Sequence, residues 1–387
     1  MFFLKGKLYK FFLLMAFLFL SQFSFAQQDL IEEIVVTGSY IKTTSKKDTS
    51  PVDIIFRDEI EGIGAFLTSD IIKNLSINSG SENNTDAFTS GSTQGTSNVN
   101  LRGLGLSSTL VLIDGRRQTV TGATANDGSV FVNTSTIPLI AIQRVEVLKE
   151  GAASIYGSDA VAGVVNYIFR RDFEGFELDI SDKRTEKGNQ KDQSISFILG
   201  NHGNSLHWVL AASALNRTAM KGIVKPELSQ LAISGLGNSF LLFGPSEVDQ
   251  GPYAGTYSPF ENVPDANCIE NNGILIPQSS GSRCGFLYGP RFNLVNDEDH
   301  ENLYFSLKRK FNSITLDADL MYASINVNDN PQSPSYPALS YLSPSNLIMP
   351  GVAGNPFGVP VMWLGRPLGS SYPSPLAPRE IETLRLS

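Results

Sequence analysis

Few side chains in this chain of 387 residues have the means to do chemistry. Asp317 and Asp319 are a pair of carboxylates such as a glycosidase uses for its acid and base, but that chemistry also needs a cleft that a spacing of two does not establish. They read better as a stripe along one face of a strand, lining an aqueous channel. The three histidines, His202, His207 and His300, have no metal-ligand spacing, so no metal is assigned. Gly103 and Gly105 open a GxGxxG pattern, but Ser108 stands where the third glycine belongs and no helix starts there, which removes the dinucleotide reading. No HExxH, GxSxG, CxxC or P-loop occurs. An enzyme is not expected, and no cofactor is needed.

Composition narrows the class. A net charge of −8 and a pI near 5.1 exclude a nucleic-acid partner, since nothing neutralises a row of phosphates. Thirty-four glycines, twenty prolines and 10% aromatics suit a turn-rich β protein. At the N-terminus Lys5, Lys7 and Lys10 precede the apolar run Phe11 to Leu20, and Ser24-Phe25-Ala26 supplies the small residues of a cleavage site. That run is well short of the roughly 20 residues a helix needs to cross a bilayer, so residues 1–26 read as a secretory signal peptide. No long apolar run follows, and the exported chain is either soluble or crosses a membrane as β-strands.

The most patterned stretch is Ile142 to Arg171. Its first part alternates Ile142, Arg144 and Glu146 against Gln143, Val145 and Val147, as a strand requires. Gly151, Gly157 and Gly163 then punctuate a run of small residues, where the backbone bends and approaches its neighbours. A second strand, Val164 to Phe169, follows. Upstream, Pro51 to Phe56 reads as a strand, Asp58 with Glu61 as a capping-box-like helix start, and Leu67 to Leu75 as a short helix. Asn98 to Gly105 and Thr109 to Arg117 read as two strands joined by a turn, with Asp114-Gly115 a tight-turn signal. The tract Asn78 to Asn98 and the loop Gln118 to Asn133 are polar.

After Arg171 the period becomes strictly two. Phe176, Leu178 and Ile180 oppose Glu177, Asp179 and Ser181; Leu303, Phe305 and Leu307 alternate with Tyr304, Ser306 and Lys308; Ile314 to Tyr322 alternates with Thr315, Asp317 and Asp319. Between Leu206 and Leu210 the pattern is blurred by Val209 and Ala211. A half-buried soluble sheet gives the same alternation. Connection lengths favour a membrane barrel, because Asn201 to Asn204 and Phe311 to Ser313 are tight turns whereas Arg217 to His300 and Ile325 to Arg379 are long excursions. Cys268 and Cys284 fall in the first excursion, in polar surroundings. In an exported chain they are expected to form a disulfide worth roughly 3 kcal/mol on the chain-entropy model.

Leu101-Arg102-Gly103, Asp114-Gly115-Arg116 and the stretch through Arg144, Glu146, Gly157, Gly163 and Asn166 closely resemble the plug domain of TonB-dependent outer-membrane receptors. The resemblance implies an α+β plug domain (residues 49–170) followed by an antiparallel transmembrane β-barrel that is incomplete here (171–387), since such barrels close with about 22 strands. The chain is accordingly expected to be the N-terminal portion of a longer receptor. Residues 27–48 become a periplasmic tether whose segment Glu33, Ile34, Val35, Val36 and Thr37 looks like the TonB box gripped by a TonB-type energy-transducing protein, by strand addition. The same segment on its own reads equally as a first strand of the next domain. The location implied is the outer membrane, in contact with its lipid. The ligand is a scarce small molecule, siderophore, cobalamin, oligosaccharide or peptide, with Asn126 and Asp127 as candidate contacts in loops facing the lumen. A secreted β-rich binding protein or adhesin is the alternative, and an exported glycan-active enzyme a third.

Overall fold

In the computed structural model, residues 52–82, 93–149, 152–203, 205–242, 257, 260–278, 281–332, 347–365 and 373–387 are described. The leader 1–26, the segment Glu33 to Thr37 and residues 83–92 of the tract 78–98 lie outside them. Among the described residues no helix is long and apolar enough to cross a membrane.

The N-terminal unit is a five-stranded sheet in the order β1 (Val52–Phe56), β4 (Ile142–Leu148), β5 (Gly163–Phe169), β2 (Thr109–Ile113), β3 (Arg116–Arg117). Only β2 and β5 run parallel. The unbroken apolar run of β2 is buried at every position, because its alternate residues enter two cores. Val111 and Ile113 pack with Val145, Val147 and the helix residues Ile60, Ile71 and Ile72, while Leu110 and Leu112 pack with Leu148 and Val164 on the other face. Gly163 is a packing requirement: at φ +140° a Cβ there would meet the Leu148 carbonyl oxygen at 2.5 Å.

Two local readings need correction. The first helix spans Arg57–Gly62 and its start is satisfied by Glu59, whose carboxylate accepts the Phe56 N–H at 3.1 Å; Asp58 and Glu61 do not perform that role. Asn98 to Gly105 is not a ladder strand and has a single bridge, Leu101 to Asn78. Asparagine amides take the ladder's place: Asn98 accepts from Glu82 N–H (2.8 Å), and Asn100 donates to the Gly80 carbonyl and accepts from Gly105 N–H (3.0 Å). The chain then turns through Arg102 and Gly103 with positive φ. The second helix, Thr68–Lys73, falls inside its predicted span.

Six strands form the second unit, all antiparallel: β6 (Gly175–Arg184), β7 (Lys191–His202), β8 (Leu206–Arg217), β16 (Glu298–Phe311), β17 (Ile314–Val327) and β20 (Arg379–Leu386), in that order across an open sheet. Between β8 and β16 lie β9 (Met220–Lys221), β10 (Ile233–Ser234), β11 (Ser239–Leu242), β12 (Asn262–Pro264), β13 (Gly273–Pro277), β14 (Ser282–Leu287) and β15 (Asn293–Val295), and between β17 and β20 lie β18 (Leu347–Ile348) and β19 (Val361–Leu364). These build small sheets of their own, one of which pairs β11 with β19 and so ties the two excursions together. Cys268 and Cys284 are bonded to each other beneath the hairpin β13–β14, both buried. A Cβ at Gly273 would strike both sulfurs.

Strand register sorts the wall's two faces. One row across the sheet reads Leu178, Phe197, Ala212, Leu303, Tyr322, Leu384, and the next Phe176, Leu199, Leu210, Phe305, Leu320, Leu386. This face is apolar over all six strands yet points away from the N-terminal unit, with Leu178 50% and Leu386 72% exposed. Further along the same face the next row keeps Ile180, Ile195 and Ala214 but carries Glu301, Ser324 and Glu382, and a row of Asp182, Gln193, Asn216, Asp299, Asn326 and Glu380 then ends the apolar band. On the opposite face Ile198, Val209, Ala211, Tyr304 and Met321 are buried in the core of the N-terminal unit.

Candidate functional site

The interface between the two units is the place where charge is concentrated out of water. Its centre is the hairpin turn Asp114-Gly115, where φ values of 47° and 74° give the two-residue turn that joins β2 to β3. The turn is fixed from outside: Asn166 accepts the Gly115 N–H at 3.0 Å, and Asp114 donates its N–H to the Tyr167 carbonyl at 2.9 Å. Asp114 Oδ1 accepts the Phe169 N–H at 2.9 Å, leaving Oδ2 directed at Arg171, whose Nε is 3.2 Å away.

Arg171 lies just beyond β5 and reaches into the wall. Its guanidinium bonds Asp317 at 3.2 Å and Asp319, and Arg116 from β3 reaches Asp319 at 2.8 Å. Tyr304 donates its hydroxyl to Asp319 at 3.4 Å and stacks edge-on against Phe169, 4.7 Å between ring centres. Two arginines and one aspartate of the N-terminal unit thus meet two wall carboxylates over an apolar floor. Burial dominates the titration of Asp114, against the Phe169 amide and Arg171, and pushes its carboxyl up to about 6.

Two further contacts flank this latch. Glu177 of β6 takes Arg170 at 2.6 Å and lies 3.8 Å from Arg57, which also donates to the Leu139 carbonyl at 2.9 Å. At the other margin Arg379 of β20 donates to Gln94 at 3.1 Å, and Gly95 sits so close to Val327 that a Cβ would meet it at 2.7 Å. Between the units is a cavity of about 730 Å³ lined by Arg57, Phe66, Asp179, Ser181, Ser194 and His300, among others.

The other sequence-derived residues fall in distinct places. Arg144 and Glu146 form a buried pair at 2.9 Å within β4. Arg102 donates to the Ala162 carbonyl at 3.0 Å, holding the glycine-rich segment in place, and Gly157 turns it at φ +82°, ψ −165°. Asn126 and Asp127 are exposed on a loop and are not among the residues that line the cavity. The Asn126 N–H bonds the Glu82 carboxylate, and Asp127 accepts from the Ser129 N–H and hydroxyl at 2.8 Å, bonds that hold its carboxyl below the usual range. The sequence marks Arg116 as part of the Asp114-Gly115-Arg116 motif and Arg171 as the end of the patterned stretch, but assigns neither of them, nor Tyr304, a partner in the wall. The signal that would have found the pairing is chemical complementarity: two arginines directly after the last strand of one unit, and inward carboxylates two apart on a strand of the next.

A family model described as the TonB-dependent Receptor Plug Domain matches residues 44–164. Among solved structures, the chain is similar to the ferric enterobactin receptor PfeA of Pseudomonas aeruginosa (18% identity, TM-score 0.44, covering 72% of this chain and 34% of that one). It is also similar to the ferric citrate transporter FecA (14%, 0.44, 72% and 32%) and to the siderophore receptor PirA of Acinetobacter baumannii (16%, 0.40, 87% and 45%). The chain spans about a third of the length of the first of these structures. The α+β unit that the family model matches is latched to an open antiparallel wall of six strands. Residues 44–164 carry the plug domain of the TonB-dependent receptor family.

Proposed function

We propose that this chain is the N-terminal part of a TonB-dependent outer-membrane receptor that takes a scarce small molecule into the periplasm. The observation that carries the reading is the apolar band on the wall's outer face. It runs over six strands in two successive rows and gives way to polar residues further along, and lipid is the solvent that satisfies an exposed apolar face of this kind.

In this reading a TonB-type protein adds a strand to Glu33–Thr37 and pulls on the tether leading to β1. Among the described residues β1 is an edge strand paired only with β4, so force enters at Val52, opposite Leu148, and the last pair to yield is Phe56 with Arg144. The plug then shifts against the wall by giving up the Arg171 and Arg116 pairs. The chemistry of this step is mechanical, and no catalytic group is required. The cargo class stays open among siderophore, cobalamin, oligosaccharide and peptide.

Fractionation with capture by the periplasmic partner tests it. The chain should separate with the outer membrane, and Val35→Pro should abolish capture by a TonB-type periplasmic domain because proline removes a main-chain donor from the added strand. Recovery in the soluble exported fraction would refute the location, and undiminished capture by the Val35→Pro chain would refute the coupling segment.

A further inference from the structure

The geometry points to a divalent transition-metal site made by Asp172, His202 and His207 at the junction between plug and wall. The histidines are five apart in sequence, a spacing that matches no metal motif, but β7 and β8 form a hairpin in which His202 and His207 are register partners. Their Nδ1 atoms lie 2.8 Å apart and their ring centres 3.9 Å apart. Asp172 Oδ1 is 3.6 Å from His202 Nδ1, and one ligand atom from each of the three residues falls within 4.8 Å of the others.

The third ligand is held independently of the hairpin. Asp172 belongs to the segment in which the Phe173 N–H bonds the Arg170 carbonyl at 3.3 Å and the Arg170 guanidinium covers the Phe173 ring at 4.4 Å. That segment lies directly on β7: a Cβ at Gly200 would meet the Phe173 carbonyl oxygen at 2.1 Å. The carboxylate is therefore brought to the two imidazoles by backbone packing.

Two imidazoles and one carboxylate are the donor set of borderline ions such as Zn²⁺, with a fourth position left to water. Tetrahedral Zn–N bonds of about 2.0–2.1 Å place two nitrogens roughly 3.3 Å apart, so the imidazoles need only a small rotation to admit an ion. Both histidines sit on the wall's inner face, with His202 exposed to water. Lys308 stands opposite His207 on β16 and keeps the affinity below that of a closed structural site. A bound ion would clip the plug's exit segment to the β7–β8 hairpin of the wall, next to the Arg171 latch. The inference stands apart from the transport reading.

Isothermal titration of Zn²⁺ into the untagged full chain, with the disulfide intact, tests it together with hydrogen exchange over residues 170–175 and 200–207. One Zn²⁺ per chain is expected, with slowed exchange in both segments. His202→Asn and His207→Asn should each abolish saturable uptake, and Asp172→Asn should weaken it about tenfold or more. Asp172 and His202 are exposed and His207 is half-buried, and a proteolytic pattern matching the parent chain verifies folding of each variant. Uptake by His207→Asn equal to the parent's, or no saturable uptake by a folded parent, would overturn the site.

Discussion

Arg171 Nε stands 3.2 Å from Asp114 Oδ2, and the same guanidinium reaches Asp317 and Asp319 on the wall, so one side chain joins the Asp114-Gly115 turn of the plug to the wall strand β17. The pairs are largely withdrawn from water. Removing the shared cation leaves Asp114 and Asp317 without their ion-pair partner and Asp319 with Arg116 alone, which makes the penalty for Arg171→Ala larger than the net worth of any single pair. That variant should lower stability by about 3 kcal/mol, and a double-mutant cycle with Asp319→Asn should show about 1–3 kcal/mol of coupling in denaturant unfolding. Additive single effects would mean that the two groups do not interact.

Asp114 supplies a pH dependence. Its carboxyl is raised to about 6 in the folded plug, chiefly by burial, so the folded state holds a proton that the unfolded chain has released. The associated stability is fully present below the unfolded value near 4 and is lost as pH rises through about 6, a change on the order of 3 kcal/mol. Asp114→Asn keeps a side-chain oxygen for the Phe169 N–H and tolerates the positive φ, but does not titrate. Relative to that variant, the parent should lose stability between pH 4 and 7, as read from paired urea titrations; a constant difference would contradict the assignment.

The two plug glycines should differ in cost. Gly163→Ala places a methyl 2.5 Å from the Leu148 carbonyl oxygen and should cost more than about 3 kcal/mol, enough to remove a cooperative plug transition. Gly157→Ala has open space and bears only the strain of its backbone region, about 1–3 kcal/mol. Differential scanning calorimetry ranks them.

Opening the Cys268–Cys284 bond should act locally. Cys268→Ser with Cys284→Ser should destabilise the outer-loop sheets by roughly 3 kcal/mol and expose the segment around β13 and β14 to protease, while the β16–β17 hairpin keeps its protection. Equal loss of protection in both would show that the loop sheets and the wall unfold as one.

Much of this architecture was legible in the sequence because it rests on short-range physics. The six wall strands follow the period-two pattern, and the glycines of the 151–163 segment announce close backbone approach, which Gly163 shows directly. The blurred face at Val209 and Ala211 was itself information: those residues point inward and are buried in the plug core, where apolar contact replaces an aqueous lumen. Sequence reasoning failed where distant side chains decide the outcome. Asn98 to Gly105 carries a strand-like pattern, but its asparagine amides bind residues 78–82 and displace the ladder. The His202 and His207 pair depends on a hairpin register that linear spacing does not encode. The latch needed a partner for Asp317 and Asp319, and that partner lies 146 and 148 positions away.

The claim on which the account rests is that Leu178, Leu303, Phe305 and Leu320 face lipid while Asn302 and Ser306 face the plug. Single cysteines at these positions, spin-labelled in the full chain within outer-membrane vesicles, measure it through collision with oxygen dissolved in lipid and with a water-soluble nickel chelate. The four outer positions should collide freely with oxygen and hardly with the chelate, while labels at 302 and 306 should be shielded from both. Ready access of the chelate to the outer positions would contradict the account, because it would put that apolar face in water.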